Sequence, residues 1–305
     1  MIQLDFSSNL LRGTLPTTIT EMPELVQLSL NNNELTGRLP PELLLTLSNL
    51  KVLRLRSNAL TGHLHQAIGM LTNLDLLDIG DNQINSTVPT QIGLLTELET
   101  LKLDSNAFTG AVPSEIGQLT RLAYLILDEN ELSQELPTTV GNLTRLTTLT
   151  LNYNRMSGTL PTEIGLMTHL LKLELIANEF SGVLPTEIAN LRQLREIWLN
   201  YNNMEGTIIP HLGQLTDLSI LVLSSNSFNG TIPSHLGSAT SLEMLWLSQN
   251  QLSGEMPSEI GELHDLLDLS LFENRTSCVM LPDTILCYLI LFVAEIGRAP
   301  CRERV

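Results

Sequence analysis

The residues that could perform chemistry are few and scattered along this chain. Its 305 residues include six histidines and three cysteines, and no GxGxxG, P-loop, HExxH or GxSxG motif occurs. His63 and His65 form the only close histidine pair, and no third metal ligand lies near them in the sequence. Serine and threonine are abundant, but no base recurs beside any of them. We therefore expect no catalytic residue, no metal site and no cofactor, and hence no enzyme activity in this chain.

The net charge of the chain bears on the partners that it can bind. The formal net charge is −17, from 33 acidic and 16 basic residues, whereas nucleic acids and anionic membranes attract basic surfaces. We therefore expect no nucleic-acid partner.

The three cysteines, Cys278, Cys287 and Cys301, all lie beyond residue 277, so the body of the chain contains none. Cys278 and Cys287 either form a disulfide in an oxidising compartment or remain free buried thiols.

One asparagine recurs through most of the chain and defines a repeat. Consecutive members lie 24 residues apart, with a single 25-residue step before Asn58. Leucine or a close substitute falls eight, five and three residues before nearly every one, as Leu146, Leu149 and Leu151 do before Asn154. The series is Asn9, Asn33, Asn58, Asn82, Asn106, Asn130, Asn154, Asn178, Asn202, Asn226, Asn250 and Asn274. Such regularity is typical of stacked repeat architectures.

The L-x-L alternation within each repeat has the period of a β-strand. Its leucines are expected to point inward and the residues between them outward, and successive strands are expected to pair into one parallel sheet. Each asparagine follows its strand where the chain turns. There its buried amide bonds backbone groups that the turn leaves unpaired. We therefore assign the members from Asn33 to Asn250 to a structural hydrogen-bond ladder.

A glycine and a proline usually complete the repeat, four and seven residues after the asparagine. Glycine reaches dihedral angles closed to other residues, and proline fixes φ where the next turn begins. The segment that follows has apolar residues at the spacing of a short helix or 3₁₀ turn. One unit therefore consists of strand, turn and short helix. We expect local loop distortion where the glycine or proline is replaced, at Ser86, Gln134, Cys278, His65, Ile209 and Leu281.

The composite pattern LxxLxLxxNxLxGxLPxEIGxLxxL, seen from Leu146 onward, resembles the plant-type LxGxIP leucine-rich repeat. The resemblance implies an α/β solenoid, a right-handed superhelix with a concave parallel β-sheet and short helices or 3₁₀ turns on the convex side. It also implies a second small sheet formed by the LxGxIP segments. Members of this class are receptor-kinase and receptor-like ectodomains, polygalacturonase inhibitors and other recognition proteins.

The repeats set the expected domain boundaries. A leucine-rich-repeat domain of about twelve repeats, the first incomplete, covers residues 1–275, and residues 276–294 form a degenerate final repeat or cap. Residues 295–305, EIGRAPCRERV, resemble translated sequencing-adapter DNA, which predicts a non-native tail. The N-terminus lacks a signal-peptide pattern and starts within a repeat, so we interpret the chain as a fragment. The apolar run at 285–294 has 10 residues, fewer than the roughly 20 of a membrane span.

The outward positions of each strand lie six, four, two and one residues before the ladder asparagine. Both tryptophans and three of the four tyrosines occupy these positions, which predicts a binding surface because Trp and Tyr are favoured anchors. Packing between cross-strand neighbours is the alternative. The predicted ligand-binding residues are Trp198, Tyr201, Ile220, Val222, Met244 and Trp246, extended by Tyr124, Ile126 and Tyr153.

A second candidate surface on the same face is acidic. Its carboxylates would attract a basic peptide or a divalent cation, or would simply be solvated. No calcium-loop spacing accompanies them. The residues of this acidic patch are Asp78, Asp81, Asp104, Asp128 and Glu129.

Four sequons bear on the location of the protein. Asn85, Asn142 and Asn229 are expected to accept N-glycans if the chain enters the secretory pathway. The fourth sequon, at Asn274, coincides with a ladder position and is expected to be buried.

These observations favour a non-catalytic module that binds a protein, peptide or glycan on its concave face, within a receptor-like ectodomain at the cell surface. An intracellular, cytoplasmic scaffold is an alternative, and a secreted inhibitor of a cell-wall enzyme is another. A kinase domain beyond the C-terminus would add an enzyme to the receptor interpretation. The full-length transcript would distinguish these alternatives.

Overall fold

The computed structural model describes residues 2–277. The predicted Cys278–Cys287 disulfide, the predicted tail at 295–305 and most of the predicted cap at 276–294 lie outside these residues. The chain divides into two compact units, Met1–Ser157 and Gly158–Val305. The repeat domain over residues 1–275 stays a prediction. Within residues 2–277, no helix combines the length and hydropathy needed to cross a bilayer.

The first unit alternates strands between two parallel sheets. The odd-numbered strands β1 to β13 form one sheet and the even-numbered strands β2 to β14 form the other. β14 runs past the division at Ser157. The elements are β1 (Ile2–Asp5), β2 (Arg12–Thr14), β3 (Leu25–Ser29), β4 (Glu34–Gly37), α1 (Pro41–Thr46), β5 (Val52–Arg54), β6 (Ala59–Gly62), β7 (Leu76–Asp78), β8 (Gln83–Thr87), β9 (Thr100–Lys102), β10 (Ala107–Gly110), β11 (Tyr124–Ile126), β12 (Glu131–Gln134), β13 (Thr148–Thr150) and β14 (Arg155–Thr159).

The second unit has the same alternation. Strands β15, β17, β19, β21 and β23 pair in parallel in one sheet, and β16, β18, β20, β22 and β24 pair in parallel in the other. The strands are β15 (Lys172–Glu174), β16 (Glu179–Gly182), β17 (Glu196–Trp198), β18 (Asn203–Thr207), β19 (Ile220–Val222), β20 (Ser227–Gly230), β21 (Met244–Trp246), β22 (Gln251–Glu255), β23 (Asp268–Ser270) and β24 (Arg275–Ser277).

Aligned leucines form the core of each unit. Leu77, Leu101, Leu125 and Leu149 are register partners along the first sheet of the first unit, and all four are fully buried. Each buried leucine stabilises the fold by about 1.5–3 kcal/mol relative to an exposed one. Because the strand period is two, this register also fixes which residues of each strand face outward.

Short 3₁₀ turns connect the second-sheet strands to the next repeat. In the first unit they span Thr17–Glu21, Gln66–Met70, Thr90–Leu94, Ser114–Gln118 and Thr138–Asn142. In the second unit they span Thr162–Leu166, Thr186–Asn190, Pro210–Gln214, Ser234–Ser238 and Ser258–Glu262. The one 25-residue repeat instead contains α1, because its additional residue lengthens this connection enough for a helical turn.

The glycine of the repeat allows a left-handed turn within the second sheet. Gly110 has φ +75°, and a Cβ there would lie 3.0 Å from the Thr87 methyl group of the preceding repeat. Gln134 occupies the same repeat position with φ +71°, so that turn keeps its conformation without glycine. Ser86 does not enter the left-handed region, so the expected distortion is found there and not at Gln134.

The repeat fold predicted from the sequence is confirmed in both units. Each repeat is a strand of the first sheet, a turn, a strand of the second sheet and a 3₁₀ turn or short helix. The second sheet implied by the LxGxIP resemblance is also present.

Candidate functional site: the strand face

The ladder asparagines hold the turn after each strand of the first sheet. Asn154 Nδ2 lies 3.0 Å from the carbonyl oxygen of Leu127 and 3.1 Å from that of Leu151, and Asn154 Oδ1 accepts from the Leu132 amide at 3.0 Å. The same amide contacts recur in neighbouring repeats, as at Asn130. Each asparagine therefore ties its own turn to the repeat before it.

The residue before each ladder asparagine is left-handed, a feature that the sequence analysis missed. Tyr153 has φ +54° and Tyr201 has φ +58°, although neither is glycine. Left-handed backbone costs about 1–2 kcal/mol for such residues, and the asparagine contacts help to offset that cost. This turn directs the side chain into solvent, and Tyr153 and Tyr201 are 59% and 58% exposed.

We call the outward side of the first sheet the strand face. On the second unit, Trp198, Val222 and Trp246 are register partners on adjacent strands. Both tryptophans are half-buried, but Val222 is fully buried. This smaller side chain lies between two indoles in the register. Val222 therefore presents no surface of its own in this structure, and its contact with a ligand stays a prediction.

Ile220 and Met244 extend the same surface along the next row of outward positions. They are register partners on β19 and β21, and both are half-buried. We define the aromatic patch by the residues with exposed surface. It consists of Trp198, Tyr201, Ile220, Met244 and Trp246.

Small polar side chains occupy the outward position two residues before the ladder asparagine in three successive repeats. They are Asn200, Ser224 and Ser248, and Ser248 Oγ lies 3.0 Å from Ser224 Oγ. Both serines are buried. Two buried polar atoms of this region lack hydrogen-bond partners, namely Asn200 Oδ1 and Trp246 Nε1. Trp198 Nε1, in contrast, donates to Glu196 Oε2 at 3.1 Å.

On the first unit, Tyr124, Ile126 and Tyr153 form a smaller group on the strand face. Tyr124 and Ile126 lie at the two ends of β11, with Tyr124 46% exposed and Ile126 half-buried. Their register partners on β13 are Thr148 and Thr150. This group presents less apolar surface than the aromatic patch, because threonines occupy the neighbouring outward positions.

The acidic patch contains an ion pair that the sequence analysis missed. Arg56 binds Asp104 in a bidentate manner, with Nη1–Oδ1 at 2.9 Å and Nη2–Oδ2 at 2.6 Å. Gly80 occupies the equivalent position in the intervening repeat, and a Cβ there would lie 2.7 Å from Asp104 Oδ1. The missing side chain leaves the space that lets Arg56 reach past one repeat. The hydrogen bond to Asp104 raises the pKa of Arg56 above its usual value.

Asp78 belongs to the same network but is less well compensated. Its Oδ1 accepts from the Gly80 amide at 3.2 Å and lies 3.6 Å from Arg56 Nη1. Burial raises the pKa of Asp78 above its ordinary value despite these contacts and the nearby charge of Lys102.

The remaining carboxylates of the acidic patch have varied surroundings. Asp128 accepts from Thr150 Oγ1 at 2.5 Å and from the Asn152 amide at 2.6 Å. Glu129 accepts from Ser105 Oγ at 3.0 Å, and Asp81 is exposed. Over residues 2–277, no three His, Cys, Asp or Glu side chains are grouped so as to hold a metal ion. Most of these oxygens are therefore engaged with the protein itself.

The sequons differ in accessibility. Asn85 on β8, Asn142 at the end of a 3₁₀ turn and Asn229 on β20 are exposed, and none of them belongs to the first sheet. Asn274 is half-buried, and its Nδ2 donates to the Leu247 and Leu271 carbonyls at 2.8 and 3.1 Å. The amide nitrogen that would carry a glycan is thus already engaged at Asn274.

Comparison with family models matches repeats along most of the chain. A leucine-rich repeat region model matches residues 110–231, and a leucine rich repeat model matches residues 48–108. A further leucine rich repeat model matches residues 24–44 and 241–263.

Similar proteins include plant receptors and a bacterial repeat protein. Receptor-like protein 35 of Arabidopsis thaliana is 39% identical over 88 residues, which are 29% of this chain and 9% of that protein. The plant peptide hormone receptor RGFR1 in complex with RGF2 has a TM-score of 0.82 and 32% identity, over 90% of this chain and 48% of that one. A leucine-rich-repeat protein of Leptospira interrogans has a TM-score of 0.71 and 31% identity, over 92% of this chain and 73% of that one. The segments matched to the curated relatives cover only about a tenth of those proteins' length.

Proposed function

We propose that this chain is a non-catalytic recognition module that binds a peptide or a protein segment on the strand face. The premise is that the chain belongs to the leucine-rich-repeat family. The observation that carries the proposal is the placement of both tryptophans of the chain, Trp198 and Trp246, in the aromatic patch. A partly exposed tryptophan surface of this kind is typical of interaction sites. The similarity to a plant peptide hormone receptor supports a peptide as the ligand.

Two polar atoms in and beside the patch also match a peptide. Asn200 Oδ1 is an acceptor without a donor, and Trp246 Nε1 is a donor without an acceptor. A peptide main chain offers both an N–H group and a carbonyl oxygen at each residue. Since both atoms are buried in this structure, a small rotation of their side chains would accompany ligand binding. The apolar and polar parts of the patch therefore favour the same class of ligand.

We propose an extracellular or cell-surface location, within a receptor-like protein. The similarity to Receptor-like protein 35 supports this, as does the placement of the exposed sequons. Glycans at Asn85, Asn142 and Asn229 would leave the first sheet uncovered, because these residues lie on second-sheet strands or a 3₁₀ turn. Secretion from a eukaryotic host followed by glycopeptide mapping tests this arrangement. Glycans at these three sites with an unmodified Asn274 are expected, and a folded protein glycosylated at Asn274 would contradict it.

Binding is tested by selecting ligands for the whole chain from a random peptide display library. The selected peptides are then titrated against Trp198→Ala/Trp246→Ala and against a matched control, Leu166→Ala/Val183→Ala. The control also removes two exposed apolar side chains of the second unit, at 54% and 59% exposure. Neither control residue belongs to the first sheet.

The tryptophan variant is expected to lose binding by at least about a hundredfold, since anchor residues contribute about 2 kcal/mol or more each. The control variant is expected to bind like the wild type. Both variants should keep the wild-type thermal unfolding temperature to within a few degrees. Selected peptides that bind the tryptophan variant as well as the wild type would refute the proposed site.

A further inference from the structure

We propose that the aromatic patch selects a ligand segment that carries an arginine or lysine side chain, whose cation stacks on the tryptophan rings beside Asp268. The inference rests on the proposed function and specifies its ligand. It follows from the partial exposure of Trp198 and Trp246, from the distribution of charge around them and from the position of Asp268.

The tryptophan rings have room for a cation. Within residues 2–277, neither indole has a ring contact or a cationic side chain packed on it. Both rings are half-buried, so part of each ring surface reaches solvent. An indole face attracts a guanidinium or ammonium group more strongly than any other aromatic side chain does.

The second unit is strongly acidic. Its described residues include fourteen Asp and Glu but only four Lys and Arg, a difference of ten charges. Lys172 is the cation on the outward positions of β15, and it is bound by Glu174 Oε1 at 2.8 Å and by Glu196 Oε2 at 3.3 Å. Burial alone would lower the pKa of Lys172, but these two carboxylates outweigh burial and raise it. Lys172 is therefore a cation that two carboxylates of the protein already bind, and the net charge of this group of three side chains is negative.

Asp268 supplies a carboxylate at the edge of the patch. It is the register partner of Met244, and Ser270 is the partner of Trp246 on the same two strands. Asp268 is half-buried and takes part in no ion pair of the described residues. A ligand cation over Trp246 would therefore lie close to a carboxylate that has no cation of its own. An acidic ligand would be repelled at the same place.

The two tryptophans make the test direct. They are the only tryptophans of the chain, so fluorescence excited selectively in indole reports on the patch alone. The probes are three capped peptides, Ac-GSXGSXGS-NH2, in which X is arginine, its neutral planar isostere citrulline, or glutamate. Each is titrated into the whole chain at low and high salt.

The arginine peptide is expected to bind about tenfold more tightly than the citrulline peptide, and the preference should shrink at high salt. The glutamate peptide is expected to cause no saturable change. Asp268→Asn should weaken binding of the arginine peptide several-fold. Asp265→Asn is the matched control, since Asp265 is exposed, lies three residues earlier and is outside the strands. It should leave binding nearly unchanged.

Equal binding of the arginine and citrulline peptides would overturn the inference, and so would equal effects of Asp268→Asn and Asp265→Asn. The proposed function fails separately. If selected peptides without basic residues bind in a tryptophan-dependent manner, the patch is a binding site but the cation preference is wrong. If no selected peptide depends on the tryptophans, the site itself is wrong.

Discussion

Replacing Asn154 with alanine tests the ladder at a fully enclosed position. The Leu132 amide donates to Asn154 Oδ1 at 3.0 Å, and Leu132 is completely buried. In Asn154→Ala this N–H group loses the partner and has no route to water. The Leu127 carbonyl is less affected, because it also accepts from Asn130 Nδ2 at 3.2 Å. One orphaned buried donor costs about 1–3 kcal/mol, so the free energy of unfolding should fall by that amount.

Asn154→Asp separates the two halves of the amide. It keeps the acceptor for Leu132 but places a second carboxylate oxygen where Nδ2 now faces the carbonyl oxygens of Leu127, Leu151 and Asn152, at 3.0, 3.1 and 3.2 Å. At neutral pH, Asn154→Asp should therefore lower the free energy of unfolding by at least as much as Asn154→Ala does. The destabilisation should diminish on acidification, because a protonated carboxyl group donates one hydrogen bond.

Urea unfolding followed by circular dichroism measures both losses, and amide hydrogen exchange at Leu132 locates them. Asn85→Ala is the matched control, since Asn85 lies exposed on β8 of the same unit. It should change stability by less than about 0.5 kcal/mol. If Asn154→Ala is as stable as Asn85→Ala, or if exchange at Leu132 stays slow, the ladder does not hold the turns as described.

The charge network of the first unit yields three further predictions. Asp104→Asn should cost about 1–2 kcal/mol in urea unfolding, less than a fully buried pair because the Arg56 side chain is 36% exposed; no measurable loss would contradict this. Asp78→Asn should be nearly neutral or slightly stabilising at pH 7. Because the pKa of Asp78 is raised in the folded state, this carboxyl group stabilises the fold below about pH 3.9, its pKa in the unfolded chain, and the contribution is lost as the pH rises through its folded pKa. An Asp78→Asn variant whose stability depends on pH as the wild type's does would refute this. Gly80→Ala should destabilise as much as Asp104→Asn, because its Cβ would enter the space of the ion pair, and fully additive losses in the double variant would contradict a shared cause.

Most of the repeat fold follows from the sequence because its determinants are local. The spacing of Leu101, Leu103 and Asn106 within one repeat predicts the strand and its turn, and the same pattern recurs along the chain. The positions of the outward side chains follow from the strand period. The twelve copies therefore place Trp198 and Trp246 on the strand face without any structural information.

The contacts among outward side chains are not predictable in the same way. The Arg56–Asp104 pair joins residues 48 positions apart, and it forms only because Gly80 has no side chain between them. Val222 is buried because both register partners are tryptophans. Such outcomes depend on the volume and reach of neighbours in other repeats, whereas the repeat pattern specifies only the direction of each side chain.

These contacts distinguish the strand faces of the two units. On the first unit, charged outward side chains are largely occupied by one another, as in the pair between Arg56 and Asp104. On the second unit, the aromatic patch retains exposed ring surface, and two polar atoms in and beside it have no protein partner. The second unit, which keeps exposed ring surface and unpartnered polar atoms, is therefore the better candidate for ligand recognition.

Hydroxyl-radical footprinting of the chain with and without its tightest selected peptide tests the recognition site most directly. The side chains of Trp198, Met244 and Trp246 are reactive and partly exposed, and each should be protected from oxidation by the peptide. Met70, 50% exposed on a 3₁₀ turn of the first unit, should be oxidised at the same rate with and without peptide. Unchanged oxidation of the two tryptophans at saturating peptide would contradict binding at the aromatic patch.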